Sequence, residues 1–350
     1  MSAASPRIGI IGTGAIGGFY GLMLARAGYD VHFLLRSEYA AVCERGLQVN
    51  SAVHGSLLLE RPQVYRDAAK MPVCDWLLVG AKSTSNEALA PIIAQLAAPD
   101  CKVVVLQNGL GVEDSIRPLL PDTVHLLGGL CAICAHRSAP GVVEHQALGG
   151  VNLGYHSGPA GGDEQAQLAL LNAMVEMFRQ AGVDSSPMPS LAQARWMKLV
   201  WNVPFNGLSA LLDAGTESLL SSDHSRAQVK AIMQEVCTAA HALGCSLPED
   251  FPEKLLMGTA RMPDYLPSMY HDRFQNRPME LEAIYAAPLA AAAQAGVSMP
   301  RTEMLYHLLR LLSRQCAAKL NGSRGESDQR SHSKRQAEHL SSVGASFIRL

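Results

Sequence analysis

The apolar run Arg7 to Ile11 passes without interruption into Gly12-Thr13-Gly14-Ala15-Ile16-Gly17, and this junction leaves the first half of the chain few folds to adopt. A short apolar run opening into a glycine turn reads as a buried parallel strand. Ala15 to Ala27 then reads as a helix stopped by Gly28, and Asp30 to Leu35 as a second strand, so a βαβ unit closes within about 30 residues. That context turns a common glycine pattern into a dinucleotide-binding turn. Gly12 permits the tight turn, Gly14 lets a pyrophosphate approach the backbone, and Gly17 lets helix and strand pack closely. The N–H groups of the helix start face the phosphates. A glycine turn without a ligand is the alternative.

The end of the second strand bears on which dinucleotide binds. An NAD site places Asp or Glu there to hold the ribose 2′-hydroxyl, whereas this chain has Leu34-Leu35-Arg36-Ser37. Arg36 can pair with a 2′-phosphate and Ser37 can add a hydrogen bond, which favours NADP. Glu38, close by, keeps NAD open.

Further along, Gly46 to Val64 reads as a hairpin at the sheet edge. Asp75 to Lys82 and Cys101 to Leu106 read as core strands, with a helix over Ser83 to Leu96 between them. Ligands of open α/β sheets gather at the carboxyl ends of strands, where Lys82 and Asn108 emerge. Asn108 before Gly109 also has a plain reading as a turn. Val124 to Cys134 and Val142 to Leu153 continue the strands, with a turn at Pro140-Gly141. The chain thus divides into a Rossmann-type α/β domain over residues 1–188, an all-α domain over 189–320 and a polar tail at 321–350 expected to be disordered. In the second part helices are expected at Leu191 to Leu212, Ala227 to Leu243, Phe251 to Gly258, Met279 to Ala295 and Thr302 to Leu320. The alanine-rich Ala286 to Ala295 suits close helix packing within the domain or across a homodimer.

A net charge of -2 argues against nucleic acid as a partner and for a small ligand. The eight cysteines show no disulfide spacing and read as reduced core residues. Cys131 and Cys134 lie in an apolar segment with no second Cys or His pair at metal spacing, so no metal is expected. No apolar run reaches the roughly 18 residues of a membrane span, and no leader precedes the first strand, so a cytoplasmic location is expected.

Within Arg195 to Asn206, helical spacing puts Lys198, Asn202 and Asn206 on one face among Leu199, Val200, Trp201, Val203 and Phe205. The face either borders water or receives something polar. Pro204 lacks the N–H that would bond the Val200 carbonyl and is expected to kink the helix.

Five separated pieces resemble the ketopantoate reductase family (2-dehydropantoate 2-reductases) over roughly residues 7 to 318. They are the Gly12-x-Gly14-x-x-Gly17-Gly18 turn, Lys82 after a core strand, Gln107-Asn108-Gly109-x-Gly111, Lys198-x-x-x-Asn202-x-x-x-Asn206, and Ser268-Met269-x-x-Asp272 followed by Glu280. The resemblance implies reduction of a 2-keto acid, ketopantoate, with NADPH in pantothenate synthesis, in a cleft between two domains. It implies Lys198 as proton donor to the ketone, and Asn202, Asn206 and Ser268 as substrate ligands. Asn108 would meet both cofactor and substrate. Arg36, Lys82, Ala135 and Glu280 would help hold the cofactor, and Glu280 would also face the substrate. Where the family carries a further Asn, this chain has Thr216, a departure that bears on substrate identity more than on reaction type.

Overall fold

The protein is described from a computed structural model covering residues 5–316, so the tail expected at 321–350 lies outside the described residues. Ten strands form one sheet: β1 (Arg7–Ile11), β2 (Asp30–Leu34), β3 (Leu47–Ser51), β4 (Gly55–Leu59), β5 (Gln63–Tyr65), β6 (Cys74–Val79), β7 (Ala97–Val105), β8 (His125–Ala139), β9 (Val142–Ser157) and β10 (Ser185–Pro187). Their order is β4-β3-β9-β8-β7-β6-β1-β2-β5, with β10 beside β9. The six contiguous strands β5-β2-β1-β6-β7-β8 are all parallel, the arrangement of a Rossmann sheet whose order reverses between β1 and β6. Five of the six residues of β6 are buried, as a strand covered on both faces requires.

The helix Ala15–Arg26 packs on this sheet and buries Phe19, Tyr20, Leu22 and Leu24 completely. A second covering helix, Glu164–Gln180, is capped by Asp163, whose carboxylate accepts from the Ala166 N–H at 2.9 Å. The antiparallel pair β8–β9 runs beyond the carboxyl end of β7, its ladder reaching Ala139 and Val142, and the β3–β4 hairpin pairs along that extension.

The helical part opens at Ser190, whose hydroxyl caps Leu191–Leu212 by accepting from Gln193 N at 3.2 Å. This helix is continuous with Pro204 inside it, so the expected kink does not interrupt it. Asp223–Ala242, Phe251–Ala260 and residues 300–316 pack around it, with Leu199, Val200, Val203, Phe205 and Tyr285 at the centre of a core separate from those of the sheet. Several differences from the sequence reading are local. Ser83–Ser85 form a 3-10 turn before the helix Asn86–Leu96, the segment Glu282–Ala286 is a π-helical turn inside the expected Met279 to Ala295 helix, and the short helices Thr216–Ser221 and Ser268–Phe274 fall below the length at which periodicity is readable. No helix among the described residues is long and apolar enough to cross a membrane.

Candidate active site

The glycine turn is built by close contacts. Gly12 has φ +87, and a Cβ there would lie 2.3 Å from Ala81 N; a Cβ on Gly17 would lie 2.4 Å from the Gly12 carbonyl oxygen. A Cβ on Gly14 would meet nothing within 4 Å, so its backbone stays open to an approaching group. Gly80, at the end of β6, is equally constrained, since a Cβ there would sit 2.9 Å from Gly17 N; nothing in its local sequence signals this. Thr13 is buried, and its hydroxyl has no hydrogen-bond partner among the described residues. Ala15 and Ile16 begin the helix and are partly buried. Arg36 and Ser37 are exposed beyond β2, whereas Glu38 is buried and ion-paired with Arg137 of β8. The carboxylate that kept NAD open is thereby committed to a guanidinium.

The helix Leu191–Leu212 presents Lys198, half-buried, and Asn202, buried, one turn apart. Burial lowers the Lys198 pKa to about 8, and the Arg195 charge adds to the drop while Cys131 and Glu280 oppose it. Cys131 belongs to β8, so Lys198 faces the sheet domain. Asn202 Nδ2 is buried without a hydrogen-bond partner among the described residues, a donor available to a ligand. Asn206 is committed differently. Its Oδ1 accepts from Ser268 Oγ at 3.3 Å and from Met269 N at 3.2 Å, holding the start of the Ser268–Phe274 helix.

Glu280 is buried and accepts from Ser83 N and Oγ at 3.4 and 3.3 Å. Burial raises its pKa, and the nearby Lys82 works against the rise. Lys82 itself pairs with Asp272 and donates to the Pro278 carbonyl at 3.2 Å, so the end of β6 is tied to the helical domain. Asp272 also accepts from Arg277 Nε at 3.1 Å. Asn108 is partly buried in the loop after β7. The next residue, Gly109, has φ +107, and a Cβ there would stand 2.4 Å from Ala283 Cβ, so the loop lies directly on the π-helical turn. Ala135 is buried in β8, opposite His145 of β9. The Thr216 hydroxyl contacts Asp264 Oδ1 at 3.3 Å and accepts from Tyr265 N at 3.0 Å, so it joins two segments of the helical domain.

The structure thus brings Lys198 and Glu280 together, with Lys82 beside Glu280, Asn202 one turn from Lys198, and Asn206 bonded to Ser268. The sequence reading gave no role to Arg195, Glu113, Gly80 or Asp272. Asp272 alone carried a local signal, as part of the Ser268-Met269-x-x-Asp272 pattern.

A mostly parallel sheet in this order, with a glycine turn on its first strand and a half-buried lysine presented from an all-helical domain, defines a two-domain oxidoreductase that works with a nicotinamide dinucleotide. The chain belongs to the ketopantoate reductase family: residues 8–158 match ketopantoate reductase PanE/ApbA, and residues 190–313 match ketopantoate reductase PanE/ApbA C terminal. A 2-dehydropantoate 2-reductase of Nostoc sp. is 39% identical over 306 residues, covering 87% of this chain and 94% of that protein. The crystal structure of 2-dehydropantoate 2-reductase from Geobacter metallireducens superposes with a TM-score of 0.80 at 39% identity, covering 87% of this chain and 99% of its own. A D-mandelate dehydrogenase solved with NADH and anilino(oxo)acetate shares the fold, with a TM-score of 0.77 at 22% identity over 89% of this chain and 99% of its own.

Proposed function

We propose that this protein reduces 2-dehydropantoate (ketopantoate) to pantoate with NADPH, the reductive step of pantothenate synthesis, with Lys198 as proton donor. The observation that carries the reading is the half-buried Lys198 ammonium beside an unpartnered Asn202 amide on a helix that faces the sheet domain. The division of labour follows the two domains: residues 1–188 hold the dinucleotide and residues 189–320 supply the substrate wall.

The residues present fit the cofactor. The open Gly14 backbone and the unpartnered Thr13 hydroxyl lie in the turn suited to a pyrophosphate, where Ala15, Ile16 and Gly17 start a helix whose free N–H groups favour anions. Arg36, exposed beyond β2, would meet a 2′-phosphate, and Asn108, Ala135, Lys82 and Glu280 would help hold the cofactor. NADPH, when bound, supplies the hydride. Lys198 stabilises the oxyanion that develops on the keto oxygen and gives it a proton. Asn202 donates to the substrate, Asn206 acts through Ser268, and Asn108 touches both ligands. Glu280 opposes the loss of the Lys198 charge that burial and Arg195 favour.

Two expectations follow. Because Lys198 must carry its proton to donate it, kcat for reduction should be level at acid pH and fall as pH rises through about 8, a profile read from initial rates. Arg36→Ala should raise KM for NADPH on the order of ten- to a hundredfold, the worth of a charge-assisted hydrogen bond, and leave KM for NADH unchanged. Equal effects on both cofactors would remove the 2′-phosphate role.

A second reading is the same chemistry on another 2-keto acid, which the resemblance leaves open at Thr216, although the Thr216 hydroxyl is committed to Asp264 and Tyr265. A panel of keto acids with NADPH and NADH separates the two. The proposal expects the highest kcat/KM with ketopantoate and NADPH, and a better keto acid would move the assignment to it.

A further inference from the structure

Arg195 stands one turn before Lys198 on the same helix and is more deeply buried, its side chain and that of Glu113 each being 3% exposed. The guanidinium pairs with the Glu113 carboxylate and donates from Nη1 to the Gln107 carbonyl oxygen at 2.5 Å. Glu113 lies in the first turn of the short helix Val112–Ile116, and Gln107 opens the loop that carries Asn108. Gln107 in turn donates through Nε2 to the Ala81 carbonyl at 3.0 Å and to Asn86 Oδ1 at 2.7 Å. One side chain from the helical domain therefore grips the carboxyl end of β7 directly and that of β6 through a single glutamine.

Apolar packing could hold the two domains together without the desolvation cost of a buried ion pair. What the guanidinium adds is direction, because its planar fork fixes the angle as well as the distance between the elements it bonds. We propose that Arg195 is a positioning residue for the reduction: by bonding Glu113 and the Gln107 carbonyl, it sets Asn108 on the sheet domain against Lys198 on the helical domain. The inference rests on Lys198 being the proton donor. Its second effect is electrostatic. Burial is the main cause of the lowered Lys198 pKa, and the Arg195 charge one turn away adds to it.

The test compares Arg195→Lys, the neutral double variant Arg195→Gln/Glu113→Gln, and Lys198→Ala with the parent, all as full-length protein whose folding is checked by thermal melting. Each is measured for kcat, KM for ketopantoate, NADPH dissociation constant and the pH dependence of kcat. Arg195→Lys keeps the charge and loses the fork. Its kcat should fall on the order of 10- to 100-fold, as expected for a slightly misplaced acid, with NADPH binding unchanged. The double variant should show a similar fall, and its alkaline limb should move to higher pH because a cationic neighbour of Lys198 is gone. If Arg195→Lys does not fold, the double variant, which strands no buried charge, decides alone. A lower melting temperature with parental kcat and a parental pH limb overturns the proposal, while a slow Lys198→Ala in the same series leaves the proton donor in place. Parental kcat in Lys198→Ala overturns both.

Discussion

Replacing Lys198 with Ala should lower kcat about 10²- to 10⁴-fold, a loss of roughly 3 to 5 kcal/mol of transition-state stabilisation, at saturating NADPH and ketopantoate. The effect should fall on kcat more than on KM, because the ammonium meets a neutral carbonyl in the ground state and a developing oxyanion in the transition state. Truncation at Cβ also removes a charge that burial disfavours, so the variant should remain folded. Steady-state rates with a melting curve on the same sample check both statements. A kcat near the parent's would show that the proton comes from elsewhere.

Arg195→Ala should be the most destabilising single change near the site, costing about 3 to 5 kcal/mol in urea unfolding. The reason is the group left behind. Glu113 is 3% exposed on its side chain, and without its partner it is a buried carboxylate in a site that water scarcely reaches. Glu113→Gln added to Arg195→Ala should recover part of the loss, since the stranded charge is removed; the two substitutions are in contact, so their effects should be strongly non-additive. A loss below about 1 kcal/mol, within the range of an exposed pair, would contradict the buried geometry.

The sheet domain was legible because its determinants are local. Strand, glycine turn, helix and second strand follow one another within Arg7 to Leu34, and Gly17 is constrained by Gly12 and Ile10 in the same unit. The helix Leu191–Leu212 was legible for the same reason, as a long run whose structural cap, Ser190, is also local. What escaped sequence reasoning depends on chain segments far apart. Lys82 meets Asp272, Arg195 meets Glu113, and Gly109 lies on Ala283, yet none of these pairs leaves a spacing to read. β10 is three residues long and ends in Pro187, too short for a periodic signal. At the candidate site, residue types were legible and commitments were not. Asn206 and Ser268 were each expected to hold substrate, and the structure bonds them to each other; Thr216, expected to matter for substrate identity, is buried between two segments of the helical domain.

Under the proposed reading, hydride passes from NADPH to the keto carbon of ketopantoate while Lys198 gives the proton. NADPH carrying deuterium at both C4 positions, incubated with ketopantoate and this protein, tests it most directly, with the product read by mass spectrometry. The expected product is pantoate with one deuterium at C2, formed far more slowly by Lys198→Ala. Absence of deuterated pantoate above the enzyme-free control would contradict it.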